Sequence, residues 1–201
     1  MIRVEEKQEP SCFDQSVRQK GLAWLKSKKL PVSGLLPNRI QSPAYWRDVL
    51  GHLHTCYNGV CAYYSFYVHK AGGVTTDHFV PKTNEIALIY EWSNYRLSCF
   101  TANNLKRDYT DVLDPFSVLP ETFRLNLVNG EISVNREARF SETYIALADA
   151  TIKRLKLNSQ DTVKMRFEYI QAYIDGQFTS AHLLRLNPFV HAEMQRQGKL
   201  K

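Results

Sequence analysis

Four short pieces of the chain carry residue types suited to hydrolysing a phosphodiester: Asp77-His78, Pro81-Lys82, Trp92-Ser93-Asn94, and Cys99 to Lys106 with Asn103 inside it. Such a reaction needs a base to take a proton from attacking water, and an imidazole titrates nearest neutral pH. It also needs positive charge on the phosphate oxygens, which a divalent cation supplies. A hard cation such as Mg²⁺ takes oxygen ligands, so a carboxylate (Asp77) and an amide carbonyl (Asn103) are suitable donors. Asp77 and His78 are neighbours, and neighbouring side chains of a strand point to opposite faces. Both can serve one site only if the strand bends or ends there, and Pro81 favours such an ending.

These pieces, taken in order, resemble the HNH endonuclease signature. The resemblance rests on Val74 to Lys82 (VTTDHFVPK), Tyr90 to Cys99 (YEWSNYRLSC) and Asn103 to Lys106 (NNLK). It implies an α+β fold with a ββα-metal (His-Me finger) core embedded in N- and C-terminal helices, around one Mg²⁺ or Mn²⁺. It implies His78 as general base, Asp77 and Asn103 as metal ligands, and Asn94 as the residue that holds the base-bearing loop. Lys82, Lys106 and Arg107 would face nucleic acid, with DNA ahead of RNA. Met1 to Val4 (MIRV), Glu9-Pro10 and Asp111 to Phe116 (DVLDPF) extend the likeness to a bacterial subfamily. That subfamily includes nuclease subunits of Septu-type and retron-linked anti-phage systems, which act beside an ATPase subunit. A non-catalytic nucleic-acid-binding or scaffold subunit with a degenerate motif is the alternative, and a nuclease latent until its ATPase partner engages is a third reading.

Many family members also carry two CxxC pairs that hold a structural zinc. Here the second cysteine of each pair is replaced, by Tyr64 after Cys61 and by Ala102 after Cys99. Two thiolates do not complete a tetrahedral site, so no structural zinc is expected. Packing by Tyr63, Tyr64, Phe66 and Phe100 is expected in its place. His52 and His54 beside Cys56 read as solvated or capping histidines, and His69, His182 and His191 have no matching partners. Trp92 reads as a core residue. Lys153-Arg154-Leu155-Lys156 suits either a charged helix face or a phosphate contact.

The supporting elements follow from periodicity. Phe13, Val17, Leu22, Trp24 and Leu25 predict a helix within 11–30 capped by Ser11; Tyr45, Trp46, Val49, Leu50 and Leu53 predict a second one starting at Ser42-Pro43 and ending at Asn58-Gly59. The stretch from Cys61 to Val68 is aromatic and β-prone. Strands are expected at 74–80 and 95–98, a helix at 99–106, and a hairpin around Asn129-Gly130. Ser141 and Ser159 open two helices, the second with Val163, Phe167, Ile170 and Ile174 inward and Gly176 at its end. A last helix follows Asn187-Pro188, and Lys199 to Lys201 reads as a frayed tail. The expected organisation is one domain over 1–201: an arm and helices (1–58), the core (59–116), then a hairpin and helices (117–201).

With 201 residues, 44% hydrophobic and 12% aromatic, the chain can bury a core rather than remain disordered. A net charge of +6 favours polyanionic partners without specifying one. The charged first ten residues and the lack of a long apolar run point to a cytoplasmic protein with reduced thiols and no membrane partner.

Overall fold

A computed structural model describes residues 1–200. The protein is of the α+β class and divides into two compact units. One unit comprises Glu6–Gly59 and His69–Thr110; the other comprises Met1–Glu5, Val60–Val68 and the chain from Asp111 onward.

The first unit holds the candidate chemistry. Its opening helix has a π-helical turn, Asp14–Arg18, that continues as α1 (Gln19–Ser27). Ser11 is not its cap; Phe13 is, with no side-chain bond. The turn is fastened through Arg18, whose guanidinium contacts the carboxylates of Glu9, Asp14 and Glu91. Gly21 lets Tyr90 lie against α1, because a Cβ there would come within 2.1 Å of the Tyr90 ring. Pro43 does not begin the next helix either. A 3-10 turn runs Tyr45–Val49 and α2 runs Leu50–Cys56. Asn58 and Gly59 end α2 with positive φ, and the Gly59 N–H reaches the His54 carbonyl at 2.7 Å.

Strand β1 (Val74–His78) pairs antiparallel with β2 (Tyr95–Cys99), which leads directly into α3 (Phe100–Lys106). The β1 strand is two residues shorter than its hydrophobic pattern predicts. Phe13, Trp92 and Tyr95 form the aromatic centre of the unit, with Phe13 edge-on to both partners at 5.7 Å. Trp92 is a core residue, and its indole N–H donates to the Lys7 carbonyl at 2.7 Å.

In the second unit, β3 (Phe123–Leu125) and β4 (Ile132–Val134) form the hairpin expected at Asn129-Gly130. Gly130 has φ 75°, and a Cβ there would lie 2.8 Å from the Val163 carbonyl oxygen, so both conformation and space require glycine. Helix α4 (Glu142–Arg154) is capped by Ser141, which accepts from the Tyr144 N–H. Its acidic first turn and basic last turn suit the helix dipole. Helix α5 (Gln160–Ile174) starts at Ser159, but its buried face is Thr162, Arg166 and Ile170. Phe167 and Ile174 are exposed, contrary to the pattern-based face. Arg166 accounts for the rotation, because it reaches inward to carbonyl groups from Gly130 and Leu157. Helix α6 (Ser180–Leu186) has no counterpart among the expected elements; α7 (Pro188–Arg196) has Pro188 in its first turn and Asn187 as its cap.

Residues 61–68 form no strand. Val60 and Tyr67 make an isolated bridge, and Ser65 turns the chain with φ 55° while its N–H bonds the Cys61 carbonyl. Lys199 is tied down, its N–H donating to the Met194 carbonyl at 2.8 Å, and Lys201 lies outside the described residues. Among the described residues, no helix is long and apolar enough to cross a membrane.

Candidate active site

The site is built from the hairpin β1–β2, helix α3 and the loop of residues 79–94. Asn94 closes that loop. Its Oδ1 accepts from the Val80 N–H at 2.8 Å, and its Nδ2 donates to the carbonyls of Val80 and Leu88, each at 3.0 Å. The Phe79 N–H adds a bond to the Asn94 carbonyl at 2.9 Å. One buried amide thus satisfies three backbone groups that would otherwise be left without partners in a loop of irregular shape.

His78 ends β1, opposite Tyr95. Its Nε2 lies 2.9 Å from the Ile89 carbonyl, which also accepts from the Tyr95 hydroxyl at 2.9 Å. A carbonyl can only accept, so Nε2 carries the proton and Nδ1 is left as the basic nitrogen. Trp46 meets the imidazole edge-on at 4.6 Å and Tyr95 at 5.0 Å. Burial, then the charge of Lys82, pushes the His78 pKa down to about 3 against the opposing pull of the Ile89 carbonyl. The ring is therefore neutral at ordinary pH.

Asp77, the residue before His78 in β1, is 2% exposed. Its Oδ2 is 3.3 Å from Lys106 Nζ. Lys106 is completely buried and donates to the His78 carbonyl at 3.0 Å. It is therefore an internal cation of the hairpin–helix junction, not the phosphate-facing surface residue expected from the sequence. Phe79 is near two cations, Lys106 at 5.5 Å and Arg96 at 5.3 Å from its ring centre. Asn103, on α3, donates from Nδ2 to Thr75 Oγ1 at 3.2 Å, so its carbonyl oxygen faces away from that contact.

Asp77, His78 and Asn103 all line one groove of about 740 Å³. Lys82 and Arg107 line it too, as do Trp46 and Arg47, which periodicity alone places only in a helix. Lys82 Nζ sits over the Trp46 ring at 4.6 Å, and burial lowers its pKa. No spacing rule links Trp46 to a histidine thirty-odd positions away, so only the fold brings them together. Arg107 follows α3 with φ 46° and its side chain exposed. Thr76 Oγ1, also in the wall, is buried without a hydrogen-bond partner.

Of the remaining candidates, all but Phe100 lie outside this groove. Cys99 caps α3 by accepting from the Ala102 N–H at 3.5 Å. Phe100 does not pack in place of a zinc: it is 64% exposed. Tyr64, in the other unit, bonds the Leu155 carbonyl through its hydroxyl at 2.8 Å and packs on Phe66 at 5.8 Å. His52 lies 3.6 Å from the Cys12 thiol, and His54 is buried. Arg154 forms a two-pronged ion pair with Asp111.

Among the described residues no three His, Cys, Asp or Glu side chains cluster as a metal site. A carboxylate and an amide oxygen are donor types that Mg²⁺ or Mn²⁺ take, together with waters and phosphate oxygens; here the Asp77 carboxylate is 2% exposed and faces Lys106. No family model, curated protein or solved structure matches the chain.

Proposed function

We propose that the protein is a metal-dependent endonuclease of the HNH, ββα-metal type. The observation that carries this reading is the tautomer-fixed His78 beside Asp77, on a hairpin–helix unit whose groove is lined by Lys82, Arg47 and Arg107. In this reading Nδ1 of His78 takes the proton of the attacking water. Asp77 and Asn103 would hold one Mg²⁺ or Mn²⁺, which supplies charge to acidify water and to offset charge on the phosphate. Asn94 keeps the loop closed, so that Ile89 holds the imidazole in one orientation. Lys82 and Arg107 would bind phosphates, DNA ahead of RNA. The sequence likeness of the flanking pieces supports a cytoplasmic anti-phage effector acting with an ATPase subunit.

Asp77 favours a second reading. Its carboxylate is 2% exposed and already faces Lys106, as in a motif kept only as a fold element of a nucleic-acid-binding scaffold. Digestion of plasmid and oligonucleotides with Mg²⁺, Mn²⁺ or EDTA separates the two. The nuclease cuts only with metal and loses cutting in His78→Ala while the far-ultraviolet circular dichroism is unchanged. Equal cutting by wild type and His78→Ala under matched metal would exclude His78 as the base. Binding without cutting, alone or with a partner, would leave the scaffold.

A further inference from the structure

We infer that the groove takes an unpaired stretch of nucleic acid, with a nucleobase stacked on Phe100. The choice of a polyanion rests on the proposed nuclease reading; the preference for an unpaired strand rests on the exposed ring of Phe100.

Phe100 is the first residue of α3, lines the groove and is 64% exposed. A phenylalanine left in water forgoes the free energy that burial yields, so a ring exposed inside a concave charged site is available for a ligand. Its backbone is held on both sides. The Phe100 N–H donates to the Gly73 carbonyl at 2.8 Å, and the preceding residue, Cys99, is paired with Val74 and caps the helix. Gly73 has φ 82°, and a Cβ there would sit 3.4 Å from the Phe100 Cβ, in contact with the base of the ring. The platform is rigid in its main chain and open on its face.

The other aromatic ring of the groove is not equivalent. Trp46 already carries Lys82 over its face at 4.6 Å and packs against His78. Phe100 is therefore the ring left for stacking. Arg47, Lys82 and Arg107 supply positive charge around it, reduced by the Asp108 carboxylate on the same groove. A single aromatic face set among cations is the arrangement that suits single strands, since every base offers a π face while phosphates meet the charges. A duplex hides its base faces by stacking, so Phe100 would add nothing to duplex binding.

Fluorescence anisotropy on the full chain in EDTA reads binding apart from cutting. The probes are a labelled single-stranded DNA 12-mer, its RNA counterpart and the DNA duplex, with wild type, Phe100→Ala, Phe100→Leu and Phe100→Trp. The single strands should bind more tightly than the duplex. Phe100→Ala should weaken single-strand binding about tenfold, Phe100→Leu nearly as much, and Phe100→Trp should restore it. Duplex binding should be unchanged in all three variants. The DNA and RNA arms decide which strand is preferred. Tighter duplex binding, no binding of any probe, or single-strand affinity indifferent to Phe100 would overturn the inference. Companion digests with Mg²⁺ separate the two proposals. Phe100-dependent binding without any cutting retains this inference and removes the nuclease. Cutting of duplex that depends on His78 but not on Phe100 does the reverse.

Discussion

Each unit buries a cation almost completely, and the partners of the two differ. Arg166 is 2% exposed and is satisfied by neutral oxygens: the Gly130 carbonyl at 2.7 Å, the Leu157 carbonyl at 2.6 Å and Asn158 Oδ1 at 3.3 Å. Burial lowers its pKa to about 10, so it keeps its charge at neutral pH. Lys106, fully buried, faces one carbonyl and the Asp77 carboxylate. Arg166 ties a hairpin turn to a helix, whereas Lys106 sets the charge balance of a carboxylate in a groove wall. A buried cation marks a staple when its acceptors are neutral backbone, and bears on a site when its acceptor is itself a potential ligand.

The contrast can be tested by deletion. Lys106→Met should have the largest effect, about 3–5 kcal/mol in urea unfolding, because it removes the cation that faces the buried Asp77 carboxylate. Adding Asp77→Asn should recover most of that loss; if the double variant is no more stable than the single one, charge compensation is not what Lys106 provides. Arg166→Met should cost about 2–4 kcal/mol, from buried acceptors left without donors. No single partner substitution should rescue it, and recovery by Asn158→Ala alone would show that the carbonyls matter little.

A pH-dependent effect belongs to His78. Its folded pKa of about 3 lies below the ordinary 6.5, so the unfolded chain binds the proton more readily. The stability that neutral His78 contributes is complete above pH 6.5 and falls away as the pH drops towards 3. Within that window the slope from this group is about 1.4 kcal/mol per pH unit. His78→Phe should flatten the wild-type slope between pH 6 and pH 4 by about that amount. An unchanged slope would mean that His78 takes up its proton without unfolding. The smallest effect should come from an exposed pair used as a scale. Arg136→Ala, which removes the Asp149 contact at 63% and 46% exposure, should change stability by less than about 1 kcal/mol.

The elements legible in the sequence are those set by local chemistry. Asn129-Gly130 demands a turn, Ser141 a helix start and Asn187-Pro188 another, and none needs a distant partner. The face of α5 is not legible in this way, because apolar periodicity gives Phe167 and Ile174 to the core, whereas long-range bonds from Arg166 turn a polar face inward. Helix α6 is too short for a periodic signal. In the candidate site, order and spacing single out Asp77, His78 and Asn103, which the fold places along one groove, and Asn94, which closes the adjoining loop. Sequence alone puts Lys106 at the surface because lysines are rarely buried without a partner, and its partner lies across the hairpin–helix junction. Trp46 and the Ile89 carbonyl are illegible for a related reason. One arrives from another helix, and the other is main chain, which no residue type announces.

The double use of the Ile89 carbonyl has a consequence for measurement. The Nε2 proton of His78 is bonded to the Ile89 carbonyl, and Trp46 and Tyr95 pack against the ring, so its exchange with solvent is expected to require the loop of residues 79–94 to lift away. Its exchange with deuterated water should therefore keep time with that lifting, and an imidazole proton seen by nuclear magnetic resonance would act as a clock for local opening. Asn94→Ala should make the clock run faster, reporting how tightly one amide holds the loop shut, with no substrate or metal present.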